Sequence, residues 1–152
     1  MDEEPKEMDE GVGRFARLCF AIYGAHHAFN RAYQALLEPL GLTYPQFLAM
    51  AALWTRDERP VGEIGRALRL ETSTLTPLLK RLEAAGLIYR ERAKEDERVV
   101  IVRLTEAGKA LEAEAEKIPG CLLQASGLTM EEVLKMVGDL DTLRVNLSGG
   151  GR

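Results

Sequence analysis

The chain has 152 residues, 46% of them apolar and 29% charged, with a formal net charge of −4. It is long enough for one domain with a real core, and no apolar run approaches the roughly 20 residues of a membrane span. The acidic start, MDEEPKEMDE, has no apolar stretch of the signal-peptide kind, which predicts a cytoplasmic protein.

The charge is unevenly spread. Residues 1–10 hold six acids and one lysine, a sum of −5, so the rest of the chain sums to +1. Residues 61–104 hold nine Lys/Arg and seven Asp/Glu, a local excess of +2. A local cationic footprint, not the whole-chain sum, governs binding to a polyanion. The two cysteines, Cys19 and Cys121, are too few for a disulfide framework. No Cys/His cluster has zinc spacing, and no metal or cofactor is expected.

Residues 1–12 read as an acidic, mobile tail. From Gly13 to Leu37, Phe15, Leu18, Ile22, Ala25, Phe29, Ala32 and Leu36 recur at threes and fours, which predicts one long helix. Its apolar face is wider than one small domain covers, which suits a dimer strut. Pro39 and Gly41 stop it. Thr43 is placed to cap a helix over Tyr44 to Thr55, with Phe47, Leu48, Ala51, Ala52 and Trp54 as its apolar surface. Arg56 to Pro60 reads as a polar turn. Val61, Ile64 and Leu68 mark a short helix whose start lacks a side-chain cap.

The next stretch organises the rest. Leu75, Leu78, Leu79 and Leu82 form one apolar stripe. The opposite face carries Ser73, Thr74, Thr76, Pro77, Lys80 and Arg81, small hydroxylic and cationic groups that can approach and hydrogen-bond a polyanion. Pro77 cannot donate to the Ser73 carbonyl, so the first turn is expected to open there or the helix to begin after Thr72. Gly86 ends the helix. Ile88 to Arg92 and Val99 to Leu104 are β-branched runs joined by a charged segment, Ala93 to Arg98. Helix, turn, strand, charged loop and strand is the order of a winged helix-turn-helix, here spanning about residues 44–105.

Thr105 caps the following helix, which Pro119 and Gly120 interrupt or kink. Thr129 opens a last helix with a capping box to Glu132. Val133, Leu134, Val137, Leu140, Leu143 and Leu147 give that helix an apolar face, and Gly149 to Gly151 read as a flexible end. The expected fold is mainly α (α+β). A single domain over residues 13–152 holds the winged helix, and helices at about 13–38 and 106–147 form a dimerisation module.

The wing reads Asp96-Glu97-Arg98, then VVIVR, then Leu104-Thr105. With the preceding helix it resembles the MarR family of bacterial regulators, over residues from about Arg14 to Leu147. The resemblance implies that Arg98 enters a minor groove and that Asp96 orients it. A cation at a loop tip independently suits a narrow, negative groove. The runs Leu18-Cys19-Phe20-Ala21-Ile22-Tyr23 and LLEPLGLTYPQ, Leu36 to Gln46, are similar to the organic-hydroperoxide-resistance branch of that family. That branch implies Cys19 as a redox-sensing thiol. Tyr33 and Tyr44, with Tyr23 of the motif, support it, Tyr33 and Tyr44 from the partner subunit. Cys121 is implied as the second cysteine.

The expected function follows from that resemblance. It is a homodimeric repressor on a pseudo-palindromic, double-stranded DNA operator. Organic hydroperoxide is the inducer, and no membrane is involved. Oxidation of Cys19 and an inter-subunit disulfide with Cys121 release the DNA. Two alternatives remain. One is a MarR-type repressor released by a phenolic or aromatic ligand without redox chemistry. The other is a thiol peroxidase, although an enzyme has no need of a recognition helix and wing. The expectation is therefore a regulator and not an enzyme.

Overall fold

The computed structural model describes the backbone of residues 10–149 and side chains from Gly13. Of the expected acidic tail, residues 1–9 lie outside the described residues. Helix α1 (Glu10–Leu37) begins at Glu10, three residues before Gly13. Gly150 and Gly151, part of the expected flexible end, also lie outside.

A 3-10 turn, Glu38–Leu40, follows α1 and closes on Gly41, whose φ of 68° falls where a Cβ would be strained. Helix α2 (Tyr44–Thr55) starts on a full capping box. Thr43 Oγ1 accepts from the Gln46 N–H, and the Gln46 side chain accepts from the Thr43 N–H. α2 buries Phe47, Ala49, Met50 and Leu53, while Leu48 is exposed. The expected face was thus rotated, because this helix is apolar nearly all round and its pattern selects no side. Trp54 is half-buried, and its indole N–H donates to the Gly108 carbonyl at 2.9 Å.

Arg59–Pro60 is not a turn but a short strand, β1. Helix α3 (Val61–Leu68) has no side-chain cap, as expected, and buries Ile64. Helix α4 (Thr72–Ala84) begins at Thr72 despite Pro77, with the Leu75 N–H on the Glu71 carbonyl at 2.9 Å. The alternative of a later start is therefore wrong; the missing Pro77 N–H costs the helix the bond to the Ser73 carbonyl in its first turn without delaying its start. Leu75, Leu78, Leu79 and Leu82 are all buried. At the far end, the N–H of Gly86 reaches the Glu83 carbonyl and that of Leu87 the Leu82 carbonyl. This is a Schellman closure, with Gly86 at φ 76°.

Strands β2 (Ile88–Arg92) and β3 (Val100–Leu104) pair antiparallel, Ile88 opposite Leu104 and Arg92 opposite Val100. β1 joins the other edge of β3, giving the order β1-β3-β2. Ile88, Val102 and Leu104 turn inward onto the leucines' core.

Thr105 Oγ1 accepts from the Gly108 N–H and donates to the Gly86 carbonyl. It thereby caps α5 (Glu106–Ala110) and ties it to the end of α4. The helical stretch then breaks at Leu111 and at Glu116, giving α6 (Glu112–Ala115) and α7 (Lys117–Ser126). Pro119 and Gly120 are not themselves the break. Both lie inside α7, and the interruption falls just upstream, where Pro119 has no N–H for the Ala115 carbonyl. Helix α8 (Met130–Leu147) opens on the Thr129–Glu132 capping box and has no buried residue.

The chain divides into two compact units, one ending at Lys109 and the other beginning at Ala110. No described helix is long and apolar enough to cross a membrane.

Among the described glycines, Gly108 has the least room for a side chain. A Cβ there would lie 2.1 Å from the Leu87 carbonyl oxygen, a backbone atom that cannot swing aside. Gly108→Ala is expected to destabilise the protein by about 3 kcal/mol or more. Gly65→Ala, with its nearest contacts at 3.3 Å, should cost clearly less. Urea denaturation of the two variants checks the order.

Candidate nucleic-acid interface and thiol site

The stripe that buries the leucines of α4 turns its other face outward. Ser73, Thr74, Pro77, Lys80 and Arg81 are exposed and Thr76 is half-buried. Glu71, at the cap position, makes no side-chain cap hydrogen bond, so this end of the helix offers free N–H groups.

The wing tip is a tight loop. The Ala93 N–H donates to the Val99 carbonyl at 2.8 Å and the Val99 N–H to the Asp96 carbonyl at 2.9 Å. Asp96 holds Arg98 three ways: its carboxylate accepts from the Arg98 backbone N–H at 3.1 Å, from Nε at 3.0 Å and from Nη2 at 3.3 Å. These bonds hold the Asp96 carboxyl below the usual carboxylate range. The Arg98 side chain is nonetheless 91% exposed. It is thus oriented by its neighbour and still available to a ligand.

Two carboxylates that sequence reasoning missed fix the wing to the helices. Glu83, in the last turn of α4, accepts from Arg90 of β2: from Nη2 at 2.9 Å, from Nε at 3.2 Å and from the backbone N–H at 3.0 Å. Those bonds hold the Glu83 carboxyl below its ordinary value. Asp57 Oδ1 accepts from the Leu104 N–H at 2.9 Å and from the Glu58 N–H at 2.7 Å, steadying Glu58 at a φ of 59°. Opposite charges on either side of a Gly-terminated helix end were the available signal for Glu83 and Arg90. Asp57 and Leu104 are too far apart in sequence to leave one.

The candidate thiol residues fall in three places. Cys19 is a free, exposed thiol on α1, with Phe15, Ile22 and Tyr23 at helical spacing around it, all exposed. Tyr23 stacks edge-on to His27, with ring centroids 4.4 Å apart. Tyr33 and Tyr44 are brought together, face to face at 4.3 Å, with Phe47 and Phe29 against Tyr33. Tyr33 is only 8% exposed. Burial pushes both phenols' pKa values up, and for Tyr33 so does Tyr44. They therefore stay protonated, as donors, through the physiological range. Neither phenol has a hydrogen-bond partner among the described residues. Cys121 is also free and exposed, on α7 of the second unit.

A family model described as transcriptional regulator SarA/Rot matches residues 31–114. The transcriptional regulator TtmR of Methylorubrum extorquens is 41% identical over 95% of this chain and 71% of its own length. The organic hydroperoxide resistance transcriptional regulator of Bacillus subtilis is 42% identical over 84% of this chain and 86% of its own. The chain belongs to the MarR family of winged-helix transcriptional regulators, of the SarA/Rot type. Among solved structures it is similar to AbfR of Staphylococcus epidermidis. Reduced AbfR bound to DNA superposes with a TM-score of 0.79 at 32% identity, over 91% of this chain and 96% of that one. Overoxidised AbfR bound to DNA gives 0.73 at 35% (89% and 99% covered), and disulfide-formed AbfR 0.64 at 37% (90% and 98%). This chain is thus a DNA-binding transcriptional regulator of the MarR/OhrR type.

The Glu83–Arg90 bridge has a pH signature. Because the folded carboxyl titrates below its ordinary value, its contribution is full above the unfolded pKa and is lost as pH falls through the folded one. Glu83 is about a third exposed, so solvent screens the pair. Glu83→Gln is expected to cost about 0.5–1 kcal/mol at neutral pH. The difference from wild type should shrink toward zero near pH 3, read by urea denaturation at both pH values.

Proposed function

We propose that this protein is a homodimeric repressor which releases its operator when an organic hydroperoxide oxidises Cys19. The observation that carries the reading is the Tyr33–Tyr44 pair: two protonated phenols, unpartnered within the described chain, stacked at 4.3 Å. Cys19 lies fourteen residues before Tyr33 on the same helix, about 21 Å along its axis. The phenols therefore serve a thiol from another copy of the chain. The apolar flank of α1 that carries Cys19 is exposed in one copy, Phe20 to 78%, and a second copy would cover it. Helix α8, with Leu140 and Leu147 exposed, has the same need.

The chemistry balances. The Cys19 thiolate attacks the terminal oxygen of the hydroperoxide, and the S–O bond forms as the O–O bond breaks. The OH stays on sulfur as the sulfenic acid, and the leaving alkoxide takes from water a proton equal to the one the thiol released. The sulfenic acid then condenses with the Cys121 thiol of the other subunit, forming the S–S bond and expelling water. Phenol O–H groups directed at the sulfur stabilise the anion that attacks. The apolar side chains around Cys19 favour an organic peroxide over hydrogen peroxide. The disulfide, and not the oxidised sulfur alone, carries the release. A disulfide demands Cα atoms within about 7 Å and so forces helices to move, whereas added oxygens do not. The relative AbfR, solved overoxidised and still bound to DNA, supports this choice.

In the reduced dimer, Ser73, Thr74, Thr76, Pro77, Lys80 and Arg81 of α4 meet the major groove, and Arg98, held by Asp96, the minor groove. Arg98→Ala is expected to weaken operator binding by about 1–3 kcal/mol. Lys80→Ala should weaken it while flattening its salt dependence. Unchanged affinity in both, by gel shift, would remove these residues from the interface.

The redox half has its own readout. Hydroperoxide should yield a thiol-reversible covalent dimer on non-reducing gels together with loss of the gel-shifted complex. Cys121→Ser should abolish the covalent dimer. Tyr33→Phe and Tyr44→Phe should each slow Cys19 oxidation and leave reduced DNA binding intact. A covalent dimer that persists in Cys121→Ser excludes Cys121 as the resolving residue.

A further inference from the structure

On the function proposed above, α4 and the wing enter adjacent grooves of one duplex. The strand of phosphates that separates those grooves must then pass between the two elements. The protein has an open groove in that place, about 530 Å³, walled by α3, α4 and the start of β3. Three arginines line it, Arg66, Arg90 and Arg98, with the hydroxyl residues Thr72 and Thr76.

The three arginines are not equivalent. Arg90 is forked on Glu83, and Arg98 is held by Asp96. Arg66, on α3, is exposed, and its side chain has no hydrogen bond or ion pair among the described residues. An acid does sit within reach along its own helix: Glu63, three residues earlier, also lines the groove. But Glu63 is taken by Arg56, to which it is hydrogen-bonded, with Arg59 Nη1 at 3.7 Å. The acidic wall is thereby neutralised by cations outside the groove, and the charge of Arg66 is left uncompensated within it.

We propose that Arg66 is a phosphate-binding residue, its guanidinium held on the DNA backbone strand that runs through the groove between α4 and the wing. A guanidinium fits the task because it is always charged and its fork matches two phosphate oxygens at once. Thr72 and Thr76 supply neutral donors beside it. The apolar pattern of α3 does not mark Arg66; the position of the wing does.

The test is a salt titration of binding by fluorescence anisotropy. One probe is a duplex that the wild-type protein recovers from a random-sequence pool. The other is a scrambled duplex of the same composition. Each phosphate contact contributes about 0.9 to the slope of log K against log salt. With one Arg66 per subunit of a dimer, Arg66→Gln is expected to lower that slope by about two. Both duplexes should weaken by the same factor, roughly tenfold, with the preference between them unchanged, since phosphates carry no sequence information. Arg66→Lys should recover most of the slope. Lys109→Gln, which removes a cation on α5 that does not line the groove, should match wild type. The melting temperature of Arg66→Gln should also match, because the side chain makes no bond to lose. A wild-type slope in Arg66→Gln, or an altered preference between the duplexes at constant slope, overturns the assignment. Wild-type protein that recovers no duplex from the pool overturns the proposed function itself, a distinguishable failure that takes the assignment with it.

Discussion

The spacing between the recognition helix and the wing is held by one carboxylate. Glu83 lies in the last turn of α4 and takes three donors from Arg90, one of them the backbone N–H at the start of the wing. Around that fork the chain leaves almost no slack. The Schellman turn fixes Gly86 and Leu87, Thr105 ties α5 back to the Gly86 carbonyl, and Gly108 presses on the Leu87 carbonyl where no side chain fits. Asp57 does similar service on the other edge, binding the Leu104 N–H beside β1. Five-residue strands have little core of their own, so this corner, more than the sheet, sets where the wing tip points.

The unit that holds α4 and the wing buries its apolar stripe completely, yet the helix that leads into it does not. α1 is buried at Tyr33 and Leu37 and exposed at Phe15, Leu18, Phe20, Ile22 and Phe29. The change happens along one unbroken helix, so it reflects what packs against each part and not a change in sequence character. A run of large exposed side chains on one helix is an unfinished interface. α8 repeats the pattern by itself, with no buried residue in eighteen.

What could be read beforehand follows from how far apart the interacting residues lie. The α4 leucines announce themselves at helical spacing, and all four are buried. Thr43, Thr105 and Thr129 announce the helix starts, because a cap acts over three residues. The Asp96–Arg98 brace is just as local, two residues apart, but it was legible by resemblance and not from spacing. β1 is not: two residues show no alternation, and Pro60 reads as a turn residue. The buried side of α2 is not legible either, since Leu48 and Met50 are equally apolar and only the tertiary neighbours choose between them. The break near Pro119 was foreseen but misplaced, because proline disturbs the carbonyl four residues before it. Glu83 left only a faint signal, an opposite charge across the Gly86 turn, and Asp57, forty-seven residues from Leu104, left none. The thiol residues were legible only by resemblance, since a cysteine on an apolar helix looks the same whether it senses or merely packs.

The geometry of α1 limits how a sensor could be built here. Cys19 and Tyr33 share a rigid helix, and about 21 Å of it separates them. No rotamer or local bend closes that distance within one copy. Burial keeps the Tyr33 and Tyr44 phenols protonated, so they can offer hydrogen bonds to a sulfur anion but cannot act as its counter-charge. In the proposed dimer the thiol and its donors therefore meet only across the subunit interface. The same interface would set the separation of the two recognition helices. A reaction that consumes the thiol then acts on the very contact that fixes half-site spacing, and no separate relay to the wing is required. The exposed apolar flank around Cys19 fits both roles, as surface for the partner helix and as a greasy approach for the peroxide.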